Sequence, residues 1–525
     1  MGIKKHSQQK KTNVHSMKEH PKDFIIIGLI LLFFLGLGLW RLNEIPGEWY
    51  GDISIVNIYV QAILDGRWPF IFIAGGGPLY HYLISPIIFF IGVNYMHYKY
   101  ISLFVGAVGL IPIYLFAKEI STRKIALLTT FLTAFSFWYF VWARIGNYNI
   151  FSPIITAAMM FFLLRYIHAR SPRNLVLGIF FASCGLFLYP GVFILPLVFL
   201  SILGYSFFVK DISSSRWKIL GVAMLGFLLA FCLFIFLIIH NIDNFGSGYI
   251  GTKIFAVSQF TPQEFLMRLG ANILKTLGML HIAGDVVFRT NIPYSPHIDH
   301  ISGLFFLVGL VALFFKRKKM LGYLLLPIFI LPLFSIWPGN PSIEIPNSSR
   351  TMAIIPFVFL ITAYGVQETF ILIRKKLGQP VTYIFISILL ASSIFMNMYR
   401  YFVLYPETLP NHNTPFGKII AREIDALPAH TVAYLTASGW GDWAQPELDG
   451  IYYVLQNPSM RESFSNIISY PSCKRIDTSK NAYIIFNPSD TTLLQKFLKC
   501  FPQGKLRIYR ENSYIIFQAL YIDKK

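Results

Sequence analysis

Long apolar runs alternate with short polar segments along most of the chain. Runs of about 17–22 residues are long enough to cross a hydrocarbon core of ~30 Å as helices. They lack the two-residue alternation of half-buried strands, so they predict α-helices. Eleven runs fit this description: 24–40, 99–117, 125–141, 150–167, 175–189, 191–208, 219–240, 301–315, 320–337, 351–372 and 381–400. The pattern therefore predicts an all-α polytopic membrane protein.

A further apolar run, Pro78 to Val93, is ambiguous, and the charges of the loops decide its placement. Lys and Arg concentrate in cytoplasmic loops of membrane proteins. All basic loops fall on one side, together with the N-terminus, only if this run lies flat at the outer interface, as an amphipathic helix can. The basic loops are 118–124, 168–173, 210–218, 316–319 and 374–376. The predicted outer loops are then 41–98, 142–149, 241–300 and 338–350.

Polar segments precede and follow the predicted membrane part. Residues 1–23 are basic and predict a disordered cytoplasmic lead, followed by a membrane module over 24–400. Eleven spans place the tail, 401–525, outside the cytosol. The tail alternates strand-like runs with one helical run, which indicates a small α/β domain. The strand-like runs are 431–435, 482–486 and 513–517, and the helical run is 491–498.

Composition supports a membrane protein and bears on its partners. Of 525 residues, 55% are hydrophobic and only 13% are charged, which is little charge for a soluble protein. The net charge of +20 would otherwise raise nucleic-acid binding, but here the cations lie in loops that fix orientation. The expected partner is the lipid bilayer, and no nucleic acid is expected. Cys473 and Cys500 lie in the tail, where a disulfide is compatible with a location outside the cytosol. The sequence leaves their pairing open.

The first outer loop carries three acids, Glu44, Glu48 and Asp52, directly before a probable helix over 53–64. Asp52 fits the N-cap of that helix, a position at which aspartate is preferred. It also fits a catalytic acid or base at the bilayer surface. The two interpretations are compatible, because a capping carboxylate can also accept a proton.

The second outer loop is short, so its polar groups are predicted to lie at the membrane surface. Arg144, Asn147, Tyr148 and Asn149 are candidates for binding a phosphate or a sugar. The alternative is an interface anchor, since aromatic residues surround them and aromatic belts mark membrane surfaces.

The third outer loop contains Asp285 and Arg289, which either pair with each other or contact substrate. His297, His300 and Asp299 follow nearby. Two histidines three residues apart in a Pro-rich loop are a weak metal pattern. No metal ligand is assigned on this spacing.

Arg350 begins a helix on the outer side, where both the helix dipole and the positive-inside trend disfavour a cation. A bound anion such as a lipid phosphate would offset this, with help from the backbone amides of the helix start. Simple snorkelling of the side chain is the alternative.

Several segments resemble, in order, motifs of the GT-C superfamily of membrane glycosyltransferases. The similarity is to the family 39/83 type, related to protein O-mannosyltransferases and the lipid A aminoarabinose transferase, and it covers residues 24–400. The segments that carry it are Pro46–Asp52 with Ile63–Gly66, Gly77–Leu83, Phe135–Trp138 with Ala143–Gly146, Gly284–Asp299, and Arg350 with Pro356.

The resemblance implies a GT-C fold and an inverting transfer of a hexosyl or pentosyl group from a polyprenyl-phosphate donor. The acceptor would be an extracytoplasmic protein, lipid or envelope glycan. Asp52 would be the base, and Arg350 with Arg144 would bind the donor phosphate. The remaining candidates for substrate binding are Tyr80, His81, Asn147, Tyr148, Asn149, Asp285 and Arg289.

The sequence also departs from the family pattern. Ile53 stands where the family often has a second first-loop acid, and Gly77 where an acid often precedes Pro-Leu. Divalent cations favour several carboxylates, so no cofactor is assigned and a divalent metal is not favoured.

Two other functions remain open: a flippase or transporter of lipid-linked sugars, and a non-catalytic scaffold presenting the tail. Transporters often show internal repeats and charges at mid-membrane. Neither is evident in spans such as 99–117 and 219–240. The expected location is the plasma membrane of a prokaryote, crossed several times, with the N-terminus cytoplasmic and the tail extracytoplasmic.

Overall fold

The fold is described from a computed structural model. It describes residues 21–48, 52–70, 76–212, 216–241, 249–428, 430–436, 440, 448–452, 454–456, 460, 472–511 and 513–524. Most of the predicted lead, and the side chain of Asp52, lie outside what is described.

Most of the described residues from Pro21 to Thr408 are helical. The first ten are α1 Pro21–Leu39, α2 Asp52–Leu64, α3 Pro78–Ile91, α4 Tyr95–Ile120, α5 Arg123–Ala134, α6 Phe137–Arg144, α7 Phe151–Ala169, α8 Pro172–Cys184, α9 Leu195–Phe208 and α10 Arg216–Ile239. The next eight are α11 Tyr249–Phe255, α12 Pro262–Gly278, α13 His300–Lys316, α14 Lys318–Ile330, α15 Ser348–Thr351, α16 Ile355–Leu377, α17 Gln379–Tyr399 and α18 Tyr405–Thr408.

Seven of these segments are long and apolar enough to cross a membrane, or eight if the bent pair α5–α6 counts as one span. These numbers refer to the described residues. Predicted spans 175–189 and 301–315 fall on shorter apolar helices, Pro172–Phe187 and His300–Lys316. The predicted span 320–337 begins on the 13-residue helix α14. The all-helical membrane fold is confirmed, whereas the count of eleven stays a prediction.

The predicted span 125–141 is wrong as a single helix. It is broken between α5 and α6, which meet at an angle of 57°. Ser136 causes the break locally, because its hydroxyl accepts a hydrogen bond from the Tyr139 amide and so starts a new helix. Arg144 is therefore the last residue of α6 rather than part of a loop, as the predicted outer loop 142–149 had it.

The middle of the bundle is formed by α7 and α16, in whose most apolar windows 78% of residues are buried, against 17% in α10. Glycines let α13 cross α16 closely. A Cβ on Gly309 would lie 2.0 Å from the Ile361 carbonyl oxygen, and one on Gly365 would lie 1.8 Å from that of Phe305. Small residues permit such backbone contact between membrane helices.

The bundle has two chemically different ends. At one end, which we call the basic end, residues 118–124, 168–173, 209–212 and 316–319 meet the start of α1. Contacts there include His168 with Glu119 (2.8 Å) and Tyr323 with Asp211 (2.7 Å). At the other, the loop-rich end, residues 41–48, 145–150, 185–194, 279–299 and 335–350 meet.

The chain ends in a small α/β domain that follows α19, Phe416–Asp425. Its sheet has the order β1-β2-β4-β3, with β1 parallel to β2 and the other pairs antiparallel. The elements are β1 Thr431–Leu435, α20 Leu448–Tyr452, β2 Asn481–Phe486, α21 Thr491–Cys500, β3 Lys505–Glu511 and β4 Tyr514–Ile522. A disulfide joins Cys473 to Cys500. The predicted α/β domain is confirmed, but β3 was not predicted.

Candidate functional site

Arg350 lies at a helix start in the loop-rich end, as predicted. The Asn347 side chain caps this helix and accepts a hydrogen bond from the Arg350 amide at 3.2 Å. The Arg350 side chain is only 2% exposed, and its Nη2 donates to Glu344 Oε2 at 2.5 Å. The Glu344 side chain is 25% exposed. A buried cation is thus neutralised by a carboxylate that solvent reaches.

A row of aromatic rings leads from this helix start to α2. The Tyr189 hydroxyl hydrogen-bonds the Ser349 hydroxyl at 2.8 Å, and its ring lies 5.5 Å from that of Tyr148. The Tyr148 ring lies 5.7 Å from His81, which in turn lies 5.4 Å from Tyr59 of α2. We call these four residues, Tyr189, Tyr148, His81 and Tyr59, the aromatic row.

The predicted base belongs to the same helix as the last member of the aromatic row. Helix α2 begins at Asp52 and contains Tyr59. Seven residues make about two helical turns, so positions 52 and 59 lie on the same side of α2. The helix that carries Asp52 therefore joins the aromatic row through the contact of Tyr59 with His81.

Asp285 supports the helix start that carries Arg350. Its two carboxylate oxygens accept hydrogen bonds from the Ser348 amide (2.7 Å) and the Val287 amide (2.8 Å). Trp138 and Trp142 each donate an indole N–H to the Ser348 hydroxyl at 3.0 Å. Burial raises the pKa of Asp285 to about 7. Its placement favours a positioning role over direct contact with substrate.

His297 and His300, the two histidines predicted in the third outer loop, differ in burial. His297 is buried and stacks on Trp138, with ring centroids 4.6 Å apart, whereas His300 is exposed. Asp299 caps α13 and accepts hydrogen bonds from Ser393 and Asn397. Among the described residues, no group of three His, Cys, Asp or Glu side chains could hold a metal ion.

Arg144 is fully buried beside the first loop. Its Nη2 donates to the Trp40 carbonyl at 2.7 Å, and its guanidinium lies 4.6 Å from the centroid of the Tyr401 ring. Its Nε and Nη1 have no hydrogen-bond partner within the described part of the chain. Arg144 and Arg350 therefore contact different neighbours, and a shared phosphate ligand role remains a prediction.

The other candidates divide between the aromatic row and its surroundings. Tyr80 is fully buried with its ring 6.1 Å from that of Tyr148, and in the described residues its hydroxyl finds no partner. Asn147 accepts a hydrogen bond from the Asn149 amide at 3.1 Å. Arg289 is half-buried, and its carbonyl accepts a hydrogen bond from the Tyr405 hydroxyl at 2.6 Å.

Sequence reasoning missed Glu344, Tyr189 and Lys99. Lys99 is fully buried at the beginning of α4. A lysine at the start of an apolar run was a usable signal, because ionisable groups within such runs often have a function. The pairing of Glu344 with Arg350 had no comparable signal in the sequence.

Comparison with known proteins bears on the class of protein. Residues 76–239 match the sequence profile of a family described as dolichyl-phosphate-mannose-protein mannosyltransferase. Among curated protein sequences, none matches the chain significantly.

The chain is similar in structure to ArnT from Cupriavidus metallidurans bound to undecaprenyl phosphate. The TM-score is 0.56 at 11% identity, covering 95% of this chain and 98% of ArnT. The apo state of ArnT also gives 0.56 at 11% identity, with 94% and 97% covered. The apo oligosaccharyltransferase of Archaeoglobus fulgidus gives 0.50 at 13% identity. That match covers 82% of this chain but only 63% of the archaeal protein.

These similarities show the fold: the chain has the GT-C type of architecture that ArnT also has. The expected GT-C resemblance is confirmed at the level of the fold. At these identities the solved structures establish the architecture alone.

Proposed function

We propose that this protein is an inverting glycosyltransferase that moves a hexosyl or pentosyl group from a polyprenyl-phosphate donor to an extracytoplasmic acceptor. The GT-C fold supports it, as does the match of residues 76–239 to a mannosyltransferase family. The similar ArnT of Cupriavidus metallidurans binds undecaprenyl phosphate, a lipid of the proposed class. The observation that carries the proposal for this chain is the buried Arg350 with its partly exposed partner Glu344.

Arg350 supplies the positive charge that a phosphate requires. A guanidinium offers several donors in a fixed geometry that suits a phosphate. The donor phosphate competes with Glu344 for this cation. Charge already oriented before the reaction stabilises the leaving phosphate most effectively.

The chemistry is a single displacement at the anomeric carbon. The acceptor hydroxyl oxygen forms a bond to that carbon while the carbon–oxygen bond to the phosphate breaks. The hydroxyl proton passes to the Asp52 carboxylate, and polyprenyl phosphate leaves as an anion beside Arg350. Attack opposite the leaving group inverts the configuration. Tyr148, Asn149, Tyr80 and His81 are the proposed contacts to the sugar and acceptor.

The loop-rich end is proposed to face the extracytoplasmic side. The basic loops lie at the opposite end, and positive loops mark the cytoplasmic side. The disulfide Cys473–Cys500 supports an oxidising location for the α/β domain. The N-terminus is then cytoplasmic, and the isoprenoid tail of the donor stays in the bilayer.

Asp52→Asn tests the proposal most directly. Loss of a general base lowers rates about 10²- to 10⁴-fold, so transfer from a radiolabelled polyprenyl-phosphate sugar should fall within that range. Asp65→Asn is the matched control, because Asp65 follows the other end of α2 and forms an exposed ion pair with Arg67. Undiminished transfer by purified Asp52→Asn protein would sink the assignment. Transport of the labelled lipid without any sugar transfer would favour the transporter instead.

A further inference from the structure

Residues 40–46, at the start of the first loop, have nearly all of their backbone carbonyls hydrogen-bonded by side chains from other elements. Helix α1 ends at Leu39, and the carbonyls after a helix end need other partners. The pairs are Trp40 with Arg144 (2.7 Å), Leu42 with Lys99 (2.8 Å), Asn43 with Lys418 (2.7 Å), Glu44 with Asn413 (2.7 Å), Ile45 with Tyr401 (3.1 Å), and Pro46 with Lys99 and Tyr95 (both 2.7 Å). Residues 40–46 are thus held by donors on all sides.

The segment leading into the α/β domain supplies a large share of these contacts. Asn413 binds the loop twice, since its Nδ2 donates to the Glu44 carbonyl and its Oδ1 accepts from the Gly47 amide at 2.6 Å. Lys418 donates to both the carbonyl and the side-chain oxygen of Asn43. At the start of α19, the Gly417 amide donates a hydrogen bond to the buried carboxylate of Glu48.

These contacts join the loop to the core of the α/β domain. Helix α19 packs its apolar side, including Phe416, Ile420 and Ile424, against the sheet residues Ala433 and Phe517. Lys418 lies in the first turn of the same helix. A displacement of α19 would therefore move Lys418 away from Asn43.

Lys99 and Lys418, the two lysines that contact the loop, both lie against the ring of Tyr95. The Tyr95 ring centroid lies 4.6 Å from Lys99 Nζ and 4.4 Å from Lys418 Nζ. Cation–π contacts of this kind strengthen when water is excluded, and Lys99 is fully buried. The start of the first loop is consequently held by two helices, by α4 through Tyr95 and Lys99 and by α19 through Lys418.

We propose that the α/β domain is a positioning element for the active site, acting through Asn413 and Lys418 on the loop that leads into Asp52. The inference rests on the proposed function, since it assigns these two residues to holding the proposed base in place. They are positioning residues, because their points of contact on the loop, Asn43, Glu44 and Gly47, lie five or more residues before Asp52.

Lys418→Met and Asn413→Ala test this, with Arg422→Met as the control, an exposed cation one turn further along α19. We expect kcat to fall about tenfold to a hundredfold with the donor KM unchanged, because small displacements of a reacting group are costly. Hydrogen exchange of the amides in residues 41–48, measured by mass spectrometry, should become faster in both variants but not in Arg422→Met.

Unchanged exchange in both variants would overturn the proposal, as would faster exchange with wild-type kcat. The exchange measurement needs no activity, so it separates this inference from the proposed function. If Asp52→Asn retains transfer while exchange still responds to Asn413→Ala, only the assignment of the base is wrong.

A second inference concerns the basic end and rests on a separate observation, an apolar groove between α1 and α5. The groove has a volume of about 720 Å³ and is lined by side chains such as Ile26, Leu29, Phe33, Leu127, Phe131 and Phe135. The bend between α5 and α6 and the missing side chain of Gly36 leave this space open.

The dimensions and charges of the groove fit one class of lipid. Its α1 wall runs from Ile26 to Leu37, about 16 Å of helix, which is close to half of a ~30 Å hydrocarbon core. One turn before Ile26, Asp23 is bound by Arg123 and Lys118. Lys124 adjoins these residues, so the cations Lys118, Arg123 and Lys124 outnumber the acid where a lipid headgroup would lie.

We infer that the α1–α5 groove binds an acyl chain of an anionic phospholipid, with its phosphate at Arg123 and Lys124. Gly36→Phe tests the chain site, because a Cβ on Gly36 meets nothing within 4 Å and a ring there fills the groove. Gly28→Phe is the matched control, since Gly28 on the same helix is equally open but does not line the groove.

The measurement is thermal unfolding in detergent with added phosphatidylglycerol or phosphatidylcholine. We expect phosphatidylglycerol to raise the unfolding midpoint more than phosphatidylcholine does in the wild type and in Gly28→Phe. The difference between the two lipids should vanish in Gly36→Phe and become smaller in Lys124→Gln. Equal effects of the two lipids, or a difference that survives Gly36→Phe, would overturn the inference. Displacement of bound phosphatidylglycerol by undecaprenyl phosphate would assign the groove to the donor instead and would also overturn it.

Discussion

The ion pairs at the two ends of the helix bundle are buried in opposite senses. At the basic end the acid is buried and its cation reaches solvent: Asp23 is 5% exposed against 37% for Arg123, and Glu368 is 6% exposed against 55% for Lys316. At the loop-rich end the order is reversed, with Arg350 2% exposed against 25% for Glu344. Arg144 and Lys99 are fully buried at that end as well.

The reversal indicates what each end is built to do. A buried acid paired with an exposed cation offers no buried positive charge to an anion that arrives from outside. A buried cation with a partly exposed acid can exchange its partner for an anion that arrives from outside. Burying a charge is costly unless it is paired, so we expect Arg350 to keep an anionic partner, either Glu344 or the proposed donor phosphate.

Arg350→Gln should have the largest effect on this contrast between the ends. Removing one preorganised donor to developing negative charge lowers kcat about 10²- to 10³-fold, so transfer should fall by that factor. The matched change at the basic end, Arg123→Gln, should leave kcat unchanged and reduce only thermal stability. Equal losses of kcat in both variants would remove the functional distinction between the two ends.

Lys316→Met tests the ion pairs at the basic end, in which the acid is buried and the cation is exposed. It leaves the Glu368 carboxylate buried without its cation, so the free energy of unfolding should drop by about 2 kcal/mol, less than for a fully enclosed pair because Lys316 is exposed. Adding Glu368→Gln to this variant should recover much of the loss in chemical unfolding in detergent. A double variant no more stable than Lys316→Met would contradict the pairing.

Glu344→Gln tests whether the acid at the loop-rich end is exchangeable. Without the competing carboxylate, the donor phosphate should bind Arg350 more tightly by about 1 kcal/mol, a roughly fivefold lower donor KM. Initial rates over a range of donor concentrations provide the measurement. A raised donor KM would show that Glu344 assists rather than competes with the donor.

Asp285 gives the smallest and most pH-dependent effect. Its hydrogen-bond partners are neutral amides, and burial, partly offset by these hydrogen bonds and by the charge of Arg289, raises its pKa to about 7. Between about pH 4 and 7 the folded protein holds a proton that the unfolded chain releases, so unfolding becomes easier as pH rises through that interval. The thermal midpoint of wild type should therefore decline from pH 5 to pH 8 relative to Asp285→Asn. Parallel pH profiles would contradict the raised pKa.

Much of the fold was predictable because apolar runs are long and loop charges are uneven, and Arg350 was predictable because a cation there opposes the helix dipole. The break before α6 lay inside a continuous apolar run, where only Ser136 signalled it. Strand β3 was missed because it is an exposed, charged edge strand with no apolar pattern. The contacts to the first loop use backbone carbonyls, which carry no sequence signal.

The hydrogen bond from the Gly47 amide to the Asn413 side chain joins residues that lie 366 positions apart in the sequence. At a synthesis rate of about 5–20 residues per second, the loop leaves the ribosome roughly 20–70 s before the residue that holds it. A nascent chain that has already inserted most of its helices therefore still lacks the contact that we propose positions the first loop. Under that proposal, we expect full turnover only after residue 413 has been synthesised.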